Sequence, residues 1–90
     1  MLPLNYAMLK YYTHVDEASV DDVISALKDK YGNFKAFSKD KMTEAVMTAE
    51  KNGLLEETRY EYDKNHKVRI YYHANDDGTR IINSYIKQDI

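Results

Sequence analysis

Hydrophobic positions along the 90-residue chain recur at two spacings, and the switch between them divides it into six elements. Helical spacing comes first. From Pro3 to about Thr13, the apolar residues Leu4, Met8, Tyr11 and Tyr12 follow a proline at a first-turn position. The segment His14-Val15-Asp16-Glu17-Ala18 reads as a polar connection. Ser19 then opens a second helix as its cap, with Asp21 and Asp22 in the first turn, where carboxylates face the positive helix end. Its apolar stripe is Val20, Val23, Ile24, Leu27 and Tyr31, and Gly32 stops it. After a connector from Asn33 to Phe37, Ser38 caps a third helix that runs to about Asn52 and closes at Gly53. Met42, Ala45, Val46 and Ala49 form its inward stripe.

The period then changes to two. From Leu54 to Asp63 the residues alternate, with Thr58, Tyr60 and Tyr62 on one face. A polar turn follows at Lys64-Asn65-His66, and Val68, Ile70 and Tyr72 share one face of the return strand. This predicts a hairpin with one half-buried side. A hairpin alone is marginal in water and must be backed by helices. Asn75 ends the second strand by capping a last helix, with Asp76 and Asp77 on its positive end. The expected architecture is α+β: three helices, a two-stranded hairpin and a C-terminal helix, in one domain spanning 1–90.

Composition narrows the class. Apolar residues make up 43% and charged residues 31%, too hydrophobic for a disordered chain. A chain of this size buries roughly 60% of its unfolded surface, so the core is thin. Nine tyrosines and no tryptophan predict a core built partly from rings that keep a wet hydroxyl end. The absence of cysteine excludes disulfides and thiolate metal sites and fits a reducing compartment. No apolar run approaches membrane-spanning length and the start lacks a signal-peptide pattern, so a cytoplasmic protein is expected. A net charge of −2 argues against a generic polyanion binder.

In this order of elements the chain resembles the winged helix-turn-helix superfamily, the domain of MarR-type and PadR-type bacterial regulators. Asn5-Tyr6-Ala7-Met8-Leu9-Lys10-Tyr11 looks like the family's first helix. Ser38 through Leu55, ending Ala49-Glu50-Lys51-Asn52-Gly53-Leu54-Leu55, is similar to its recognition helix and the step into the wing. Tyr71-Tyr72-His73-Ala74-Asn75-Asp76-Asp77-Gly78 resembles the wing-to-last-helix corner, usually Tyr-x-Leu-Thr-x-x-Gly. Here Ala74 stands for leucine and Asn75 for the capping threonine. The resemblance implies a small transcriptional regulator that binds double-stranded DNA, with the third helix in the major groove and the hairpin on the backbone. Carried onto this chain, the reading residues are Ser38, Lys39, Lys41, Thr43 and Met47, with Lys35 near phosphate. The wing contacts are Lys64, Asn65, His66, Lys67 and Arg69.

The third helix also supports a second reading. Its outward side is Asp40, Thr43, Glu44, Met47 and Lys51. Two carboxylates there repel phosphate, Met47 suits a protein contact as well as a base contact, and no arginine is present to read guanine. The alternative is a protein–protein interaction module on the same fold, as in phage, plasmid or accessory proteins. Other chemistry finds little support. His14, His66 and His73 lack the spacing of a zinc enzyme, no serine lies in a nucleophile elbow, and no glycine loop cradles phosphate. No enzyme, metal or cofactor is expected.

The terminal segment predicts a partner of its own kind. From Gly78 to Ile90, the residues Ile81, Ile82, Tyr85, Ile86 and Ile90 at helical spacing cover about half the circumference, wider than the ~100° stripe one core requires. A homodimer through Ile82, Tyr85, Ile86 and Ile90 would bury the excess. Alternatively the first helix, with Tyr6 and Leu9 outward, covers it within one chain.

Overall fold

Each helix after the first begins where the sequence supplies an acceptor for its unpaired amides. The computed structural model describes residues 1–90. Helix α1 spans Leu4–Tyr12 behind Pro3. In α2, Val20–Tyr31, Ser19 and Asp22 form a reciprocal capping box: the Ser19 hydroxyl accepts from the Asp22 amide at 3.2 Å, and the Asp22 carboxylate accepts from the Ser19 amide at 2.9 Å. Helix α3, Lys39–Lys51, is capped by Ser38, and α4, Asp76–Tyr85, by Asn75, whose side-chain oxygen accepts from Gly78 N at 2.7 Å.

The helix ends differ from one another. Helix α3 closes in a Schellman motif, with Gly53 at φ +80°, Gly53 N bonded to Glu50 O, and Leu54 N bonded to Ala49 O. Gly32 does not act this way. It keeps right-handed dihedrals (φ −57°), and the chain leaves α2 through successive turns, Phe34 N to Tyr31 O and Phe37 N to Phe34 O.

The sheet has three strands where two were expected. Ala18, read as the end of a polar connection, and Ser19, which also caps α2 as expected, form β1 and pair with Tyr72 and Tyr71. Two residues are too few to display alternation, so this strand has no sequence pattern of its own. With β2 at Glu56–Tyr62 and β3 at Val68–His73, the antiparallel order is β1-β3-β2. The half-buried side of the hairpin belongs to β3 alone: Tyr72 is buried, Ile70 half-buried, and every residue of β2 exposed. The central strand takes the packing and the edge strand is left in water. Tyr60 and Tyr62 face Ile70 and Val68 as expected, but Thr58 lies at a register shift between Glu57 and Arg59. Its hydroxyl lies 3.2 Å from the Tyr71 carbonyl oxygen and 2.9 Å from Glu17 Oε1.

One core joins all four helices to the sheet, drawing on Met8, Tyr12, Val23, Val46, Leu55 and Ile82. Its tyrosines are drier than expected. Tyr12 and Tyr31 are almost wholly buried, and their hydroxyls donate to the backbone carbonyls of Ala18 and Leu2 instead of to water. Burial raises the Tyr12 pKa, so the ring stays neutral across the physiological range.

The last helix is shorter than its hydrophobic pattern. It ends at Tyr85, and Ile86 turns to extended backbone at φ −106°, ψ 97°. Ile82 and Ile86, expected on a dimer face, are instead buried in the chain's own core at 0% and 2% exposure, while Ile81, Tyr85 and Ile90 stay outside. The alternative covering by α1 accounts for part of this. Leu9 is buried, Tyr6 packs edge-on against Tyr85 at 5.8 Å between centroids, and Lys10 donates to Asn83 at 2.7 Å. His14 and Asp89, 2.7 Å apart, hold the tail against the end of α1.

Candidate nucleic-acid interface

Helix α3 presents its outer face because Met42, Val46 and Ala49 fill the core from the other side. Asp40, Glu44, Met47 and Lys51 are exposed and Thr43 half-buried. Several residues expected to read DNA have internal partners. The Ser38 hydroxyl is used in the cap, accepting from Lys41 N, and Thr43 donates back to the Lys39 carbonyl at 2.6 Å. Lys39 Nζ donates to Asp21 Oδ1 at 2.5 Å. Lys35 is exposed in the turn before α3, and Lys41 borders a separate hollow with Leu4, Ala36 and Ala45.

The wing turn is held by one carboxylate. Asp63 accepts from the amides of Asn65 at 2.8 Å and Lys67 at 3.0 Å, and His66 takes the left-handed conformation at φ +60°. This leaves the side chains of Lys64, Asn65, His66 and Lys67 exposed at the tip. The amides, Lys67 first, hold the Asp63 carboxyl below its ordinary 3.8.

Behind the tip, charged groups tie the wing to the body. Arg59 lies over the Tyr71 ring at 3.9 Å and pairs with Glu17 at 2.7 Å and Glu61 at 3.3 Å. Tyr71 donates its hydroxyl to Glu61 at 2.6 Å. Arg69 lies 3.4 Å from Asp21 and 3.9 Å from Glu61. The Arg59 hydrogen bond lowers the Glu17 pKa, and the Tyr71 hydroxyl lowers that of Glu61.

A pH dependence follows from these shifts. Each carboxyl titrates below its unfolded value, so its contribution is complete above the ordinary values of 3.8 for Asp63 and 4.5 for the glutamates, and is lost as the pH falls below them. Carboxyl-detected NMR titration is expected to give midpoints under those values, with the wing turn loosening as Asp63 protonates. An Asp63 midpoint at or above 3.8 would show that the amides do not hold it.

The structure brings four of the expected residues together. Lys39, Thr43, Met47 and Arg69 line a cleft between α3 and the wing, whose floor includes Val68, Ile70 and Tyr72. The tip residues form a second group, and Lys35 and Lys41 lie apart from the cleft lining. Sequence reasoning missed Asp21 and Glu17 as partners of the basic residues. Asp21 was legible only as a first-turn residue, and no local pattern links it to Lys39, 18 positions on.

Neither a protein-family model nor a curated protein matches the sequence. Among solved structures the fold is similar to that of Bacillus subtilis PadR, determined in complex with operator DNA, with a TM-score of 0.74 at 18% identity. The match covers 97% of this chain and 48% of that one, so the chain spans about half the length of the protein it resembles. The fold is the α+β winged helix-turn-helix expected from the order of elements. No helix is long and apolar enough to cross a membrane.

Proposed function

We propose that this chain is a DNA-binding winged-helix protein that acts as a transcriptional regulator, with α3 entering the major groove and the wing tip on the phosphate backbone. The observation that carries the reading is the pairing of an unobstructed α3 face with a hairpin tip bearing Lys64, His66 and Lys67, in a fold that in PadR was solved on operator DNA. Phosphate contacts supply most of the affinity in such a complex and set its register. With a net charge of −2, affinity depends on these local cations and not on the charge of the whole chain.

A specific feature favours a second reading, a protein-interaction module. Met47 and Val68 are each 54% exposed and line one cleft with Glu50 and Glu57, Met47 also borders Glu44, and on the wing Tyr60 and Tyr62 are 59% and 67% exposed. Retention on a duplex-DNA column separates the two. Under the DNA reading, wild-type retention falls steeply with salt. Replacing Lys64 and Lys67 with alanine lowers the salt slope by about 1 for each phosphate that is no longer neutralised, for every sequence tested. Salt-insensitive or absent retention of the wild type would end the DNA reading. Loss of a protein partner in Met47→Glu with DNA retention unchanged would favour the second.

A further inference from the structure

Asp21 stands where three elements meet. It belongs to the first turn of α2, and its two carboxylate oxygens face Lys39 Nζ, from the start of α3, at 2.5 Å and Arg69 Nε, from β3 of the wing, at 3.4 Å. These two cations come from the two elements that a DNA backbone would bridge. Their side chains remain 56% and 37% exposed, so neither is sealed away.

The arrangement satisfies the two cations unequally. Lys39 has a short, charge-assisted hydrogen bond. The Arg69 Nε–H is shielded from solvent yet makes no hydrogen bond, although Asp21 Oδ2 lies 3.4 Å from it and the Tyr71 hydroxyl also neighbours the guanidinium. Glu61, at 3.9 Å from a terminal nitrogen, leaves Nε unsatisfied. A guanidinium fork is matched by an anion that offers several oxygens in its plane, and a phosphate does this better than a carboxylate anchored to a helix.

Resting on the DNA-binding reading, we infer that Asp21 is an internal stand-in for a backbone phosphate, and that Lys39 and Arg69 exchange it for DNA. The residue then sets affinity by competition. Both cations must leave Asp21 before they neutralise phosphate, and the carboxylate they leave behind takes up a counterion that offsets part of the salt release. Exposed pairs of this kind are weak enough to open on binding. In the free chain the same carboxylate ties α3 to the wing and spaces the two cations.

Fluorescence anisotropy on a generic DNA duplex tests the exchange. Asp21→Asn keeps the shape and removes the charge, and it is expected to tighten binding about two- to tenfold at low salt, with a slope steeper by about 1. Asp21→Ser, which also suits a first helical turn, is expected to do the same. Asp29→Asn, an equal charge change on the exposed far half of α2, controls for net charge and is expected to have a smaller effect. Adding Lys39→Gln to Asp21→Asn should cancel most of the gain. Wild-type binding with Asp21→Asn equal to Asp29→Asn, or weaker than wild type, would overturn the exchange and leave DNA binding standing. No binding by either the wild type or Asp21→Asn would remove both.

Discussion

Ile86→Asp is expected to abolish the cooperative fold of the chain at 25 °C. Ile86 follows the last turn of α4, is 2% exposed and belongs to the same core cluster as Ile82, Leu2 and Leu4. Its amide still bonds to the Ile82 carbonyl at 2.9 Å while its dihedrals turn the chain out of the helix. Removing the isoleucine forfeits about 1.5–3 kcal/mol of apolar burial. The aspartate must then keep an unpaired charge in the core or take up a proton there, either of which costs several kcal/mol more. A domain of this size has only about 5–13 kcal/mol in total. Circular dichroism should show no unfolding transition for Ile86→Asp. Ile81→Asp, at a position 40% exposed, should melt close to the wild type. A cooperative melt near the wild-type temperature in Ile86→Asp would mean that the side chain faces out, as the dimer expectation required.

The second large effect concerns a residue that ought to be improvable. Gly78 lies inside the first turn of α4, where alanine is worth about 1 kcal/mol more than glycine on helix propensity alone. Gly78→Ala is nonetheless expected to destabilise the chain by about 1–3 kcal/mol. A Cβ built there meets the Leu54 carbonyl carbon at 3.1 Å and its oxygen closer still, and both are backbone atoms. Leu54 is tied to the end of α3 by its bond to Ala49, so it cannot retreat without undoing that cap. The adjustment falls on α4, which must lift away from the α3–β2 junction. The melting temperature should fall by roughly 5–20 °C for a domain of this length. A rise would mean that propensity outweighs contact and that the junction is loose.

What could be read from the sequence is what the chain decides within a few residues. Ser19, Ser38 and Asn75 mark their helix starts because each side chain reaches an amide three positions on. Gly53 marks an end because its φ of +80° suits glycine. The turn between Asp63 and Lys67 and the alternation of Tyr60 and Tyr62 are equally local. From these the order of elements follows, and with it the winged-helix architecture.

Tertiary structure decided whatever depends on the partner across space. Ile81, Ile82, Tyr85 and Ile86 all carry apolar surface, and only packing against α1 and the core selects Ile82 and Ile86 for burial. Ala18–Ser19 becomes a strand because β3 lies beside it, and Thr58 is displaced because β2 must bulge to keep register with Tyr71 and Tyr72. Tyr31 gives its hydroxyl to a carbonyl 29 positions away, and His14 meets Asp89 across 75. The basic residues expected to contact DNA were found by type. That Lys39 and Arg69 share one carboxylate while Lys64 and Lys67 have none could not be found that way. A cap or a turn is a hydrogen bond closed by neighbouring dihedrals, so its residue type reveals it. An ion pair between elements exists only after the chain has closed long loops and buried one face of each helix, and no single stretch of sequence encodes which side chains then stand opposite.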